Sequence, residues 1–377
     1  MVILQDTFKR VNQQTAAVNN RQLVIRLFQE HGELSRSQLV GFTGLRGSTL
    51  TYITRELLQM NMLKKAGQRA SSTVGQKQQL LQINAEYGWV LGIDVRVGQS
   101  QVVIMDAAGN LVGDCLISTT KDLTQLKKTL PVLIDQCCLE HDLQKKRLLG
   151  VGLGISGIVD MVSGVIVKSL QFEVLQMPLA AILSDLLGVP VRLDHDANLI
   201  ALAEQQQGSA RGLRDFIVLS MDDQVQGSAV GFRAFGAALV LNGQVHRGSQ
   251  FAAGELDSRI MPEIKLPGAL SDLDLLAQKE GALSDWLQEV ALAVGVSLGC
   301  LVNLLDPQAI LLAGDRLIAN QAYIDLVAST INNLRIGDTL APLQVFTCAF
   351  ASQSCARGAA LSTRDMVLAN AVETHVS

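Results

Sequence analysis

Four polar residues that could carry chemistry follow one another closely after a predicted strand: Asp194, His195, Asp196 and Asn198. The strand is an apolar run that ends at Leu193, and a helical pattern begins at Leu199. In open α/β sheets, ligands bind outside the carboxyl ends of the strands, where this cluster would lie. A carboxylate there could take a proton from a substrate hydroxyl group or accept a hydrogen bond from it. The structural alternative is that Asp196 or Asn198 caps the following helix.

The elements that must position this cluster are strands and helices in alternation. In the first half we expect strands at 89–95, 100–106, 115–118, 148–156 and 190–194, a small hairpin around 163–164, and helices at 123–140 and 179–187. In the second half we expect strands at 216–221, 236–243, 309–314 and 343–350, a helix at 282–304 and another through 359–361. This pattern predicts an α/β layer fold in two halves. A polar cleft between the halves would suit a bilobal body that closes about a hinge.

Charge divides the chain of 377 residues into two unequal parts. Residues 1–80 hold eleven Lys or Arg against four Asp or Glu, a formal charge of +7. The remaining residues carry a formal charge of −11, which gives the whole chain its net charge of −4. The length predicts two or three domains, and 48% hydrophobic residues supply enough material for their cores. A basic module joined to an acidic body indicates a polyanionic partner for the first part only.

The basic part has the pattern of a helix-turn-helix. Residues 1–18 form either a loose arm or a first helix, and a helical pattern runs from Asn19 to a stop at Gly32. Ser35 offers an N-cap for a short helix (36–42), and a Gly-containing turn leads to a third helix. In this motif the second helix of the pair enters the major groove. It would present Arg46, Ser48, Thr49, Thr51, Tyr52 and Arg55 to base edges and phosphates.

Polar residues also cover the outer face of any surface helix, so a generic helical adaptor is the alternative. The segment that follows favours DNA. A polar Gly/Ser stretch at 66–75, flanked by apolar pairs, predicts a two-stranded wing. Three basic residues complete the predicted DNA contacts: Arg36, Lys64 and Lys65.

Cysteine usage and hydropathy indicate a cytoplasmic protein. The six cysteines contain no C-x-x-C spacing and follow no secretory signal, which is typical of reduced thiols in the cytosol. We expect no uncharged apolar run to approach the ~18 residues that a membrane helix requires. We therefore expect no membrane partner.

Motifs in order along the chain resemble the ROK family of repressors, open reading frames and sugar kinases. Those that carry the resemblance are Leu34-Ser35-Arg36, Thr43-Gly44-Leu45, Gly92-Ile93-Asp94, 154–160, Asp196-Ala197-Asn198, Ala253-Gly254-Glu255, Asp306-Pro307 and Gly358-Ala359-Ala360. The resemblance implies an α/β fold class, with an N-terminal winged helix-turn-helix followed by a bilobal actin-like ATPase/sugar-kinase body. The implied domains are the head at 1–82, lobe 1 at 83–195 with helix 355–372, and lobe 2 at 196–354.

Departures from the family pattern indicate that the ATP site is lost. Family kinases cradle phosphate in glycine-rich turns, because glycine lets the backbone approach closely. Here Asp94 is followed by Val95-Arg96-Val97, the second turn is Ala234-Phe235-Gly236, and the third is Ala313-Gly314-Asp315-Arg316. Bulky or charged side chains would occupy all three turns in which the family kinases bind phosphate.

The family's zinc cluster also has no counterpart. Gly254-Glu255 is followed by Leu256-Asp257-Ser258 in place of a Gly-His pair, and the next cysteine is Cys300. Four zinc ligands cannot be assembled from this neighbourhood. The sequence therefore predicts neither a metal nor a cofactor.

The resemblance leaves a set of residues for a sugar or sugar-phosphate effector. The expected effector site comprises Gly157, Gln171, His195, Asp196, Asn198, Gly254 and Glu255. Ser258 stands where the family has a histidine that contacts both zinc and sugar, and His195 could instead be a structural residue beside Asp194.

We expect a regulator without enzymatic activity, a repressor of carbohydrate-metabolism genes. It would bind an inverted-repeat operator in double-stranded DNA as a homodimer or tetramer, under control of an effector in the interlobe cleft. Two alternatives stay open. One is a ROK sugar kinase with Asp196 as base, and the other is a degenerate sensor controlled by a protein partner.

Overall fold

The computed structural model describes residues 2–70, 77–221, 235–256, 285–314, 320–336 and 341–374. Its N-terminal head contains α1 (Val2–His31), β1 (Leu34–Ser35), α2 (Arg36–Thr43), α3 (Gly47–Gln59), β2 (Leu63–Ala70) and β3 (Lys77–Ile83). The three strands form an antiparallel sheet in the order β1-β3-β2. Helices and sheet enclose a small core that includes Leu39, Leu50, Leu57 and Leu81. The predicted three helices and two-stranded wing are confirmed, apart from the wing tip at 71–76, which lies outside the described residues.

The first helix is longer than its sequence pattern indicated. It runs without a break from Val2 to His31, so of the two alternatives for residues 1–18, a loose arm or a first helix, the helix is confirmed. No glycine or proline occurs between these ends, so no residue interrupts the backbone hydrogen bonds. The helix ends where Gly32 adopts a positive φ of 72°, as the sequence predicted.

The first lobe is built on a five-stranded sheet in the order β11-β7-β4-β5-β6. Its strands are β4 (Trp89–Val95), β5 (Gly98–Asp106), β6 (Leu111–Thr119), β7 (Leu148–Ile155) and β11 (Val191–His195). Helices α4 (Leu126–Glu140) and α5 (Leu179–Leu187) pack on one face, and β8 (Ile158–Asp160), β9 (Val165–Ser169) and β10 (Val174–Met177) form a separate sheet. β4, β7 and β11 are parallel, with His195 beside Ile155 and Asp94 beside Gly154. The carboxyl ends of these three strands therefore share one edge.

The second lobe has a mixed sheet in the order β14-β13-β12-β16-β17, with β15 added beside β13. Its elements are α6 (Asp196–Gln206), β12 (Phe216–Met221), β13 (Phe235–Leu241), β14 (Gln244–His246), β15 (Glu255–Leu256), α7 (Asp285–Leu305), β16 (Ala309–Ala313), α8 (Gln321–Leu334) and β17 (Gln344–Thr347). Helix α8 was not predicted. Its N-cap, Asn320, accepts hydrogen bonds from the backbone of Ala322 and Tyr323, a signal that the sequence does contain.

Two helices pack against each other between the sheets. Helix α6 packs on the second sheet, and the C-terminal helix α9 (Ser354–Thr374) packs on the first. Gly358 makes their close approach possible, since a Cβ atom there would lie 1.8 Å from the carbonyl oxygen of Leu199. Any rotation of one lobe against the other must therefore move α6 along or across α9.

Helix α9 also holds the head on the body. Its Leu368 and Val372 are fully buried in the same hydrophobic cluster as Phe28 of α1. The Gln22 side-chain amide donates a hydrogen bond of 2.6 Å to Glu373. Head and first lobe therefore share one continuous apolar core.

Helix α7 comes closer to a membrane-spanning segment than the sequence prediction allowed. Among the described residues, one helical segment is long enough and apolar enough to cross a membrane, by length and composition only. It comprises residues 288–305 and has a mean hydropathy of 1.7. Glu289 is its one charged residue. Val290, Val294 and Leu298 are nevertheless buried in the core of the second lobe, so one face of this helix packs on protein.

Candidate functional site

The head presents one face of α3 to solvent. Ser35 caps α2 and forms a capping box with Gln38, while Gly44 ends α2 in the left-handed conformation with φ 66°. This turn lets α3 pack Leu50, Ile53 and Leu57 inward. The opposite face carries the exposed residues of the predicted DNA contact, with Thr49 half-buried beside them: Arg46, Ser48, Thr51, Tyr52 and Arg55.

Tyr52 is held in place by a residue that the sequence reasoning missed. Its ring lies beneath the guanidinium groups of Arg21 and Arg55, at 5.9 and 5.8 Å from the ring centroid. Arg21 comes from α1, is 7% exposed, and pairs with Glu56 at 2.8 Å. Because these residues lie 35 positions apart, the pairing has no local sequence signature.

The other predicted contacts are arranged around this face. Arg36 is half-buried, and its Nε donates a hydrogen bond of 2.7 Å to the hydroxyl of Thr54, so part of its guanidinium braces α2 against α3. On β2, Lys65 is exposed and Lys64 half-buried. The structure thus places the predicted phosphate contacts on α3, α2 and β2 of the head, and their binding to DNA stays a prediction.

The second candidate site lies where β11 ends and α6 begins. His195 is the N-cap of α6 and makes no side-chain capping hydrogen bond, and the helix begins at Asp196 rather than near Leu199. The structural alternative, in which Asp196 or Asn198 is the cap, is therefore wrong. The strand runs directly into the helix and leaves no separate cap residue after the cluster.

Three of the predicted effector residues converge where the two lobes meet, at the place where the sequence predicts a cleft. His195 Nε2 lies 3.2 Å from Asp196 Oδ1 and 3.4 Å from Glu255 Oε1. Glu255 arrives from the second sheet, where β15 pairs with β13 opposite Gly236. Gly254 is required just before it, because its φ is +90° and a Cβ atom would lie 1.8 Å from the carbonyl oxygen of Ala237. The cluster therefore joins groups from both lobes.

Asn198 serves the cluster indirectly, through Asp194. The Asp194 carboxylate accepts hydrogen bonds from the Asn198 amide (3.1 Å) and from the backbone N–H of His195 (2.8 Å). It also forms an ion pair of 2.6 Å with Arg247, which follows β14 in the second lobe. Arg247 was not predicted, and its side chain ties the two lobes together at the cleft.

Burial and like charge dominate the electrostatics of the cleft. Burial raises the pKa of Glu255, a shift that His195 opposes and the carboxylate of Asp196 reinforces. Burial also raises the pKa of Asp94, partly offset by Arg96. Two buried atoms, His195 Nδ1 and Asn198 Oδ1, have no hydrogen-bond partner within the part of the chain that the structure describes.

The remaining predicted effector residues of the first lobe are Gly157 and Gln171. Gly157 follows β7, whose last residue pairs with His195, and it packs against the backbone of Lys168 and Ser169 with φ +122°. Gln171 is half-buried in the turn between β9 and β10. Gly157 therefore lies near the sheet edge that holds the cluster, whereas Gln171 belongs to the separate small sheet. A role of either residue in effector binding stays a prediction.

The first phosphate turn of the family is filled by Arg96. Its Nε donates a hydrogen bond of 2.8 Å to the buried carboxylate of Asp94. The backbone N–H of Arg96 donates to the hydroxyl of Ser100, and its carbonyl accepts from Thr119. Both polar backbone groups of Arg96 are thus bonded within the protein. Of the other two turns, Phe235 and Gly236 belong to β13, while residue 234 and residues 315–316 lie outside the described part.

No group of three or more His, Cys, Asp or Glu residues capable of holding a metal occurs among the described residues. The segment from 257 to 284, which includes Ser258, lies outside them.

Comparison with known proteins shows that the chain is similar to repressors. It is 26% identical to the DNA-binding transcriptional repressor Mlc of Escherichia coli over 383 residues, covering 91% of this chain and 92% of that protein. It is 25% identical to the xylose repressor of Caldicellulosiruptor bescii, but this match spans 63% of the chain and just 57% of that repressor.

A solved structure shows the same fold. The chain superposes on a ROK family transcriptional regulator, a homologue of the Escherichia coli Mlc protein, with a TM-score of 0.74 at 18% identity over 96% of this chain and 99% of that one. The predicted fold class, a winged helix-turn-helix head followed by a bilobal sugar-kinase-like body, is confirmed. The model of the ROK family matches residues 90–263, which lie within the body of this chain.

Proposed function

We propose that the protein is a DNA-binding transcriptional regulator, a repressor of carbohydrate-metabolism genes. It binds an inverted-repeat operator as a dimer, and a sugar or sugar phosphate in the interlobe cleft modulates this binding. The observation that carries the proposal is the exposed polar and basic face of α3, with Arg46, Tyr52 and Arg55, on a head joined to a ROK domain. The relatives named as transcriptional repressors support it.

The body supports binding of a ligand rather than phosphoryl transfer. Arg96 fills the first phosphate turn and its backbone groups are bonded to Ser100 and Thr119, so this turn offers polyphosphate no cradle. The cleft keeps carboxylates and a histidine, which suit recognition of hydroxyl groups. We accordingly infer that the protein is not an enzyme and acts in the cytoplasm.

In a dimer, each head would bind one half-site. Half-site centres are expected about 34 Å apart or at a multiple of this distance, because one helical turn of DNA separates equivalent positions in the groove. Effector binding would change this separation by closing the lobes. The effector can shift the equilibrium between open and closed states only by as much as its affinities for the two states differ.

The proposal is tested by a salt-titrated gel shift on the gene's own upstream DNA, repeated with a panel of sugars and sugar phosphates. We expect specific retention, released by one member of the panel. Arg55→Ala should weaken specific binding by roughly tenfold to a hundredfold, the effect of losing one good base contact. Arg46→Ala should act in the same direction.

Arg211→Ala is the matched control, because it removes an equally exposed guanidinium from the second lobe. It should leave operator affinity unchanged. Equal affinities for Arg55→Ala, Arg46→Ala and Arg211→Ala would contradict the assignment of α3 as the recognition helix. Specific retention that no sugar alters would instead favour control by a protein partner.

A sugar kinase is the second candidate, because Asp196 lies in the cleft beside His195 with its carboxylate a quarter exposed. Its test is sugar-dependent consumption of ATP. ATP consumption that Asp196→Asn abolishes would establish that the protein is a kinase. It would contradict the proposal of a regulator without enzymatic activity.

A further inference from the structure

Helix α6 connects the candidate effector site to the head. Its first residue, Asp196, lies beside His195 in the candidate effector site, and its last, Gln206, bonds to Asp365 and Arg364 of α9, on which the head packs. Eleven residues of α-helix span about 16 Å. Because a helix of this length is stiff, displacement of its first turn is passed on to its last.

At the far end of α6, one carboxylate receives hydrogen bonds from three elements. Asp365 of α9 accepts from the side-chain amide of Gln206 at 2.8 Å and from that of Gln29, in the head helix α1, at 2.9 Å. It also accepts from its neighbour Arg364 at 2.6 Å. Asp365 is thus shared by the second lobe, the C-terminal helix and the head.

We call the group formed by Asp365, Gln206 and Gln29 the junction, and the side chain of Arg364 makes it rigid. Its side chain is 2% exposed, donates to Gln206 Oε1 at 3.1 Å, and donates to the carbonyl of Ala108 in the turn between β5 and β6. The next residue of the second lobe, Gln207, donates to Gly109 in the same turn. A buried guanidinium needs these acceptors, so movement of α6 has a cost at this point.

A second connection runs through β11. Arg192 precedes Asp194 by two residues, and its Nε is buried without a hydrogen-bond partner among the described residues. Burial lowers the pKa of Arg192, the carboxylates of Asp194 and Asp365 raise it, and Arg247 lowers it. Arg192 therefore lies within electrostatic reach of both the cleft and the junction.

We propose that Asp365 is a positioning residue that transmits the interlobe angle to the DNA-binding head, by holding Gln206 of α6 and Gln29 of α1 on one carboxylate. When the lobes rotate, α6 moves against α9 and withdraws Gln206, and the head loses the link that relates its orientation to the second lobe. The regulatory use of this junction rests on the proposed function, whereas the mechanical coupling does not.

The test is amide hydrogen exchange of the full-length protein without DNA or effector. Gln206→Leu should accelerate exchange in residues 22–31 of α1 by roughly threefold to tenfold, the effect of losing one hydrogen bond at a local opening. Exchange in β12 should not change. Gln205→Leu is the control, because the Gln205 amide bonds to Gly243 within the second lobe.

A second variant distinguishes coupling along α6 from a purely local effect of the Gln206 hydrogen bond on α1. Arg247→Met unties the lobes at the cleft end and should also accelerate exchange at 22–31, but it should add nothing in the Gln206→Leu background. Additive effects, or equal effects of Gln205→Leu and Gln206→Leu, would overturn the coupling. Asp365→Asn supplies the same test should Gln206→Leu fail to fold. Since the measurement uses no DNA, a negative gel shift would not affect it.

Discussion

Asp194→Ala is expected to lower the free energy of unfolding by ~3–5 kcal/mol, the cost of breaking a buried ion pair from one side. The carboxylate is 2% exposed and pairs with Arg247 at 2.6 Å. Without it, the charges of the half-buried Arg247 and Arg192 would repel each other uncompensated, and Asn198 would lose an acceptor. Urea denaturation at neutral pH, followed by tryptophan fluorescence and circular dichroism, measures the change.

The double variant Asp194→Ala with Arg247→Met tests the physical reason. Because it removes the orphaned cation as well, it should be more stable than Asp194→Ala alone. A double variant as unstable as the sum of the two single variants would show that this ion pair is not the source of the loss. Sugar binding can be followed in the same samples, since a specific ligand raises the transition midpoint by mass action.

Gly254→Ala should be nearly as damaging, at roughly 3–5 kcal/mol. Its φ of +90° is strained for any residue with a side chain, and its Cβ would lie 1.8 Å from the carbonyl oxygen of Ala237. Strain accounts for about 1–3 kcal/mol and overpacking for a similar amount. Because Glu255 follows directly, the same substitution should displace this carboxylate from His195 and weaken any sugar-induced rise in the transition midpoint.

Gly212→Ala separates the two contributions. Gly212 has a φ of +84°, but a Cβ atom there meets nothing within 4 Å. It should therefore show the strain alone, with a smaller loss of stability and no loss of ligand binding. Equal losses for the two variants would mean that the contact with Ala237 relaxes at little cost.

The head and the polar cluster show which parts of the candidate sites can be predicted from local sequence patterns. The head was predictable because its signals are local: a Ser35 cap, a Gly44 turn and apolar residues at helical spacing on α3. The polar cluster at Asp194–Asn198 was found for the same reason, since an apolar strand ends there and a helix follows. Its capping interpretation failed because strand and helix join without an intervening residue.

The sequence by itself thus determined the head, the two α/β halves, and the strand end that holds the polar cluster, because burial follows the period of each helix and strand. Only the tertiary structure decided which charges meet. Arg247 finds Asp194 across 53 residues, and Gln29 finds Asp365 across 336. Such pairs leave no periodic trace in the sequence. They form because the packing of α6 between the sheets, and of α1 on α9, brings polar groups to places where burial requires them to find a partner.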